Sequence, residues 1–261
     1  MQKGNTSLVP TLPSGLQIND LMIAYVTLRG NGTIGTPSGW TQKYQAQLYP
    51  TDNLHKCGIF YRFYQPGDSN PTFTVSGAGV NDTSIAQICA LRGVDTSNPI
   101  PDLGSDSGNA SQQNIGPITG FTPTGAGSDG AVIVLGHKAD DWTSVATLTG
   151  DSLTWNEIGE PSTTTGNDAG EVWDYAIYSG SAPTVTNKTF TVTGGAANTG
   201  AGKMLSLKQR VSTTQTINAA FSLKKTQSQT LTGAFRLLSK SITKTIDGAF
   251  KTKITGQTRT L

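Results

Sequence analysis

Alternating apolar and polar positions, interrupted by turn residues, run through the first 208 residues and predict strands rather than helices. The apolar runs are short and rich in Val, Ile, Thr, Tyr and Phe, and Gly, Pro, Asn or Asp lie between them. Ten strands are predicted: Leu21–Leu28, Thr41–Leu48, Lys56–Gln65, Thr72–Ser76, Thr83–Leu91, Ala131–His137, Leu153–Ile158, Val172–Ser179, Thr189–Thr193 and Lys203–Lys208.

Two stretches without alternation are predicted to lie outside the strands. Residues 93–130 are rich in Pro, Gly, Ser and Asp, which is typical of a surface crossover between two groups of five strands. The segment Ala197–Met204 is similar to a phosphate-binding loop, but Met204 occupies the position where Ser or Thr would hold magnesium. It is therefore interpreted as a glycine-rich turn.

The two groups of five strands repeat each other in order and in local sequence. A Gly-Trp-Thr stretch at residues 39–41 is answered by Leu-Thr-Trp at 153–155, and Thr72–Gly77 is answered by Thr189–Gly194. The simplest structure for this pattern is a β-sandwich with pseudo-duplicated halves that share a core. The halves are predicted at about residues 15–95 and 128–209.

A shorter repeat occupies the C-terminal fifth of the chain. The pattern Thr, branched aliphatic, any residue, Gly or Ala, Ala, Phe occurs three times, and its phenylalanines are spaced by 14 and 15 residues. Each copy alternates, so it predicts a strand with one apolar face that must pack against other repeats, other subunits or another protein. The predicted assembly interface consists of Ile217, Phe221, Leu231, Phe235, Ile246 and Phe250.

Together these patterns predict an all-β fold: an antiparallel jelly-roll-like β-sandwich over residues 1–209, followed by a repetitive β-arm over 210–261. The repeats of the arm lie near residues 216–223, 230–237 and 245–252. The arm, with its unpaired edges and phenylalanines, is expected to anchor the body or to make it oligomerise, and the expected oligomer is a trimer.

Charge distinguishes the two regions. Residues 210–261 contain nine basic side chains and one acid, which leaves 10 basic and 16 acidic residues in the rest of the chain. Basic residues spaced through a β pattern are typical of a solvated face, or of a face complementary to an acidic protein surface. Nucleic acid is an unlikely partner on this pattern, because neither an aromatic stacking stripe nor a recognition motif accompanies the charge.

Residues for enzyme chemistry are few. The two histidines, His55 and His137, belong to no recognisable motif, and no cofactor site, metal site or catalytic residue is predicted. Cys57 and Cys89 are interpreted as two core thiols, although their positions would also allow them to face each other. Trp40 and Trp155 occupy equivalent places in the halves and are predicted in the core. The candidate contacts for a ligand such as a glycan are Trp142, Asp140 and Asp141.

The sequence also resembles a family of phage and prophage structural proteins. The most specific matching pieces are Pro-Ser-Gly-Trp-Thr at 37–41 and Ala-Leu-Arg-Gly-Val-Asp at 90–95, and the resemblance covers residues 10–208. It implies a non-enzymatic virion component, a capsid decoration or head fibre, that assembles in the host bacterial cytoplasm and contacts other virion proteins. A tail or collar fibre, or a module that binds a host receptor or glycan, is the alternative. No membrane partner is expected, since the longest apolar run is too short to span a bilayer.

Overall fold

The computed structural model describes residues 2–4, 6–211, 251–254 and 257–260. Contacts divide the chain into two units, the body Met1–Arg210 and the segment Val211–Leu261. The body is all-β and antiparallel, as the alternation predicts, and the residues described here contain no helix. None of them therefore forms a helix of the length and apolarity needed to cross a membrane.

All ten predicted strands are present, and Leu21–Leu28 and Thr83–Leu91 have the predicted bounds. Seven further short strands complete the body. In chain order the strands are β1 (Gln2–Lys3), β2 (Ser7–Leu8), β3 (Leu21–Leu28), β4 (Thr33–Ile34), β5 (Thr41–Gln47), β6 (Lys56–Phe63), β7 (Phe73–Ser76), β8 (Thr83–Leu91), β9 (Ser107–Gln112), β10 (Ile115–Ile118), β11 (Gly130–Lys138), β12 (Ser144–Ala146), β13 (Trp155–Gly159), β14 (Ser162–Thr163), β15 (Ala169–Tyr178), β16 (Lys188–Thr193) and β17 (Asn198–Lys208).

Each half of the body is made of one large and one small sheet. The large sheets, here called inner sheets 1 and 2, have the orders β1-β8-β3-β6-β5 and β13-β15-β11-β17-β9, and β14 also pairs with β15. The small sheets, here called outer sheets 1 and 2, have the orders β2-β7-β4 and β10-β16-β12. The shared order β8-β3-β6-β5 and β17-β11-β15-β13 shows that the two halves have the same internal connectivity.

Four layers of sheet enclose three cores. Each inner sheet packs one face against the outer sheet of its own half, and these two cores contain Phe60, Phe73 and Trp40 in the first half and Val134 and Phe190 in the second. The other faces of the inner sheets pack against each other. This shared core contains Leu21, Ile23, Tyr25, Cys57 and Ile59 from inner sheet 1 and Ile133, Leu135, Trp173, Ala201 and Leu205 from inner sheet 2.

Strands β3 and β11 are buried along their whole length because both of their faces lie in a core. Apolar residues therefore occupy consecutive positions in both strands, such as Leu-Met-Ile-Ala-Tyr-Val from Leu21. A strand with one solvated face would alternate instead, as β16 does.

Two predictions about irregular segments are wrong. Residues 93–130 are not only a surface crossover, because they contain β9 and β10 and the fully buried Ile100 and Ile115. The turn predicted at Ala197–Met204 is the start of β17. Its Gly202 allows close packing, since a Cβ at that position would overlap the side chain of Ile118.

In the segment Val211–Leu261 the structure describes a pair of antiparallel strands, β18 (Lys251–Ile254) and β19 (Gln257–Thr260). The predicted repeats near 216–223 and 230–237, and most of the one near 245–252, lie outside the described residues. The same is true of all six predicted assembly residues.

Trp173 lies in the shared core, and we expect its substitution to destabilise the protein strongly. Trp173 is fully buried, lies 6.0 Å from Tyr25 between ring centroids, and donates a hydrogen bond from Nε1 to Oε1 of Gln87. We expect Trp173→Ala to lower the free energy of unfolding by about 3–5 kcal/mol in urea denaturation, because it leaves a cavity between the inner sheets. Ile177→Ala, on the same strand but 68% exposed, should change it by less than about 0.5 kcal/mol. Equal effects at the two positions would contradict the four-layer arrangement.

Candidate functional site: a buried histidine pair between the two halves

The shared core becomes polar at one end, where the inward-facing positions of four strands carry Thr27, His137, Glu171 and Thr199. The period of two puts Thr27 on the same face of β3 as Tyr25, and His137 on the same face of β11 as Leu135. His55 directly precedes β6 and is also fully buried. This end of the core brings together the only two histidines of the chain.

The imidazole rings of His55 and His137 are in direct contact. Their Nδ1 atoms lie 2.9 Å apart, and the ring planes are 76° from parallel. On its other side, Nε2 of His55 lies 2.9 Å from Oγ1 of Thr199 and 3.4 Å from Oδ2 of Asp52. A hydrogen bond between the two Nδ1 atoms requires one ring to donate and the other to accept.

Burial keeps both rings neutral near pH 7. It lowers the pKa of His55 to about 4, although the Asp52 carboxylate acts in the opposite direction. The pKa of His137 lies well below its usual value, first because of burial and then because of the nearby His55 and Arg29. Neutral rings can form the single N–H···N bond that the 2.9 Å separation indicates.

The Asp52 carboxylate favours one arrangement of the two protons, in which the Thr199 hydroxyl oxygen also accepts a hydrogen bond from Nε2 of His55. The Asp52 carboxylate faces Nε2 of His55, which favours a proton on that nitrogen and leaves Nδ1 of His55 as the acceptor. Nδ1 of His137 is then the donor, and its Nε2 carries a lone pair. That Nε2 is buried and has no hydrogen-bond partner among the described residues.

Glu171 lies directly opposite His137 in the pairing of β15 with β11. Its Oε2 accepts a hydrogen bond from Oγ1 of Thr27 at 3.1 Å, and its Oε1 is buried without a partner among the described residues. Burial raises the pKa of the Glu171 carboxyl well above its usual value. A protonated Glu171 and the lone pair on His137 have complementary hydrogen-bonding roles.

This cluster connects the two halves of the body. Asp52, His55 and Thr27 belong to the first half, and His137, Glu171 and Thr199 to the second. His55, His137 and Glu171 have no exposed surface, so they cannot reach an external substrate in this conformation. The arrangement can hold and order protons between two sheets, and it does not form an accessible acid–base site.

The predicted ligand contact Trp142 is buried rather than exposed. Its side chain packs in the core of the second half, its ring lies against Gly170, and its Nε1 donates a hydrogen bond to the backbone oxygen of Glu160 at 3.0 Å. The indole therefore offers no open face on which a sugar could stack.

Asp140 and Asp141 lie with Asp168 in a group in which one carboxylate oxygen from each residue lies within 4.8 Å of the other two. Two cationic side chains already contact this group: Nζ of the buried Lys138 lies 3.7 Å from Asp140, and a guanidinium nitrogen of Arg29 lies 3.4 Å from Asp168. Oδ2 of Asp140 also accepts a hydrogen bond from the backbone N–H of Ala196. Protein cations and backbone thus satisfy much of the negative charge that would attract a metal ion.

The two cysteines are free thiols, as interpreted from the sequence, with Cys57 buried in the shared core and Cys89 half-buried. The inward orientation of His137 could have been inferred, because it continues the series Ile133, Leu135 along one face of β11. Nothing in the sequence indicates its contact with His55, which is 82 positions away.

Glu171 gives a prediction about pH. Its pKa is raised in the folded state, so the folded protein holds the proton more tightly than the unfolded chain. The buried carboxyl therefore lowers the free energy of unfolding as the pH rises above 4.5, the ordinary pKa of a glutamate side chain. We expect Glu171→Gln to leave the free energy of unfolding nearly unchanged at pH 4.5 and to raise it by about 1–3 kcal/mol at pH 8. Denaturation of both proteins across this range measures the difference, and a constant difference would contradict the assignment.

Trp142 gives a second prediction. Trp142→Ala should lower the free energy of unfolding by about 3–5 kcal/mol, because it removes a packed indole and its hydrogen bond. Chemical denaturation provides the measurement, and glycan-array binding of the same proteins provides the comparison. A variant with unchanged stability that loses glycan binding would show instead that the indole is a ligand contact.

Comparisons with known protein families, with curated proteins and with solved structures found no match for this chain.

Proposed function

We propose that this chain is a non-enzymatic structural protein of a bacteriophage virion, a capsid decoration or head fibre. In this proposal the body is a jelly-roll-like module with duplicated halves, and residues 210–261 form a repetitive β-arm. The arm anchors the body or holds copies of it together, most simply as a trimer. The observation that carries the proposal is the threefold T-[IL]-x-[GA]-A-F repeat attached to a closely packed all-β body.

The body supports a structural role through the placement of its reactive groups. Both histidines and Glu171 have no exposed surface, and their neighbours come from several strands of the two inner sheets. Acid–base catalysis requires a group that contacts the substrate, and this cluster lies within a packed sheet interface. Packing of that kind suits a module that resists deformation on a particle surface.

The arm supports assembly through its pattern and charge. Each repeat carries one apolar side chain near its start and a phenylalanine at its end, separated by a small residue that leaves space for a neighbouring ring. The basic residues between the repeats suit an acidic partner surface, such as the acidic body of another copy or a virion shell. The resemblance at residues 37–41 and 90–95 to phage structural proteins favours the shell.

The proposal is tested in the full chain by changing one face of the arm. The triple variant Phe221→Ser, Phe235→Ser, Phe250→Ser should convert the oligomer to monomers in light scattering coupled to size-exclusion chromatography, because it removes the three rings that pack between copies. The matched control Asn218→Ser, Thr232→Ser, Asp247→Asn changes the opposite face of the same repeats and should remain oligomeric.

A full chain that is monomeric would contradict assembly through the arm. Cryo-electron microscopy of the parent particle then distinguishes the locations: density on the capsid supports decoration or head fibre, and density on the tail or collar supports the alternative fibre. Absence of the protein from the particle would contradict the virion role itself.

A further inference from the structure

We propose that the contact between His55 and His137 is a pH-sensitive fastener, which holds the two inner sheets together while both rings are neutral and releases this end of the shared core when both become charged. The inference concerns the body alone and does not depend on the proposed virion role. It rests on the position of the pair, with one ring from each half and no exposed surface on either.

The separation of the rings sets the proton count that the closed state can hold. When both rings are neutral, or when only one is charged, one Nδ1 can still accept a hydrogen bond from the other across 2.9 Å. With four protons, both facing nitrogens carry N–H groups and both rings are cations. Two buried like charges in contact repel strongly, so the rings must separate or become hydrated.

Burial is the main factor that favours the neutral state of both rings, and the neighbouring charges act in both directions. On the His55 side the neighbouring groups are Asp52, Arg29 and the ring of Tyr49, whose centroid lies 6.4 Å from that of His55. Near His137 they are Glu171 and Arg29. Further polar or ionisable groups along the shared core include Thr27, Tyr25, Cys57, Thr199, Lys203, Asp106, Tyr44, Tyr61, Cys89 and Tyr175. Asp52 is the nearest carboxylate to His55, but Arg29 partly offsets it.

The direction of the pH effect follows from the direction of each shift. A histidine whose pKa is lowered by folding contributes stability that is lost as the pH falls from its ordinary value of 6.5 towards the folded value, which for His55 is about 4. Glu171 acts in the opposite direction, since its folded pKa is raised. Its contribution stops changing below its ordinary value of 4.5. Below that pH the histidines act without this opposition.

Local opening is favoured over complete unfolding because each half retains its own core. Phe60 and Phe73 stay packed between inner and outer sheet in the first half, and Val134 and Phe190 do so in the second. Neither core contains His55 or His137. The shared core is therefore the part of the body whose packing depends on the charge of the pair.

Cys57 reports the opening, because it lies in the shared core two residues after His55 and is fully buried. In full-length protein with Cys89→Ala, Cys57 is the only thiol. We expect 4,4′-dithiodipyridine, which reacts with thiols in acid, to label it about ten-fold faster or more as the pH approaches 4 than at pH 7. The β signal in far-ultraviolet circular dichroism should stay unchanged over the same range.

His137→Asn in the same background is the matched variant, since its side-chain amide can donate to Nδ1 of His55 but cannot become charged. The His137→Asn variant should keep Cys57 protected at pH 4. The control is Asp174→Asn, which removes a buried carboxyl in the core of the second half, and its Cys57 should be labelled as fast as in the Cys89→Ala protein. Protection of Cys57 down to pH 3.5, or labelling only when the β signal is lost, would overturn the proposal.

Nitrogen-15 spectra of histidine-labelled protein give an independent test that requires no substitution. The chain has two histidines, so its spectrum contains four ring nitrogens. At pH 7 one ring should carry its proton on Nδ1 and the other on Nε2, and both should become charged together as Cys57 becomes accessible. Independent titration of the two rings near pH 6.5, with Cys57 still protected, would overturn the proposal.

Discussion

The packing of the two inner sheets against each other is the constraint on which the rest of the body depends. Strands β3 and β11 have no solvated face, so each belongs at once to the core of its own half and to the shared core. A change in the relative position of the halves would expose Leu21, Ile23, Ile133 and Leu205 together. Apolar burial on this scale stabilises the interface without fixing its register, because it is not directional.

Directional hydrogen bonds at the polar end of the shared core fix the register of the two halves. Hydrogen bonds from Thr27 to Glu171 and between His55 and His137 cross from one half to the other and have defined partners. A shift of one residue in either sheet would leave these buried groups unpaired, which costs more than the loss of an equivalent apolar contact. The cluster thus restricts the two halves to one arrangement.

The sequence predicts the strands well because alternation and turn residues are local signals. It also reveals the duplication, since Gly39-Trp40-Thr41 and Leu153-Thr154-Trp155 occupy matching places. It fails for β9, whose sequence Ser-Gly-Asn-Ala-Ser-Gln has no apolar alternation and is specified by pairing with β17. The burial of Trp142 and the histidine contact depend on which elements meet in space, and no local pattern encodes that.

The double burial of β3 has a consequence for synthesis on the ribosome. Residues up to Leu91 complete inner sheet 1, but the sheet that covers its second face is complete only after β17 ends at Lys208. A nascent first half therefore presents Leu21, Ile23 and Tyr25 to solvent while more than a hundred further residues are translated. The time needed to translate residues 92–208 sets how long this apolar surface stays exposed to other chains.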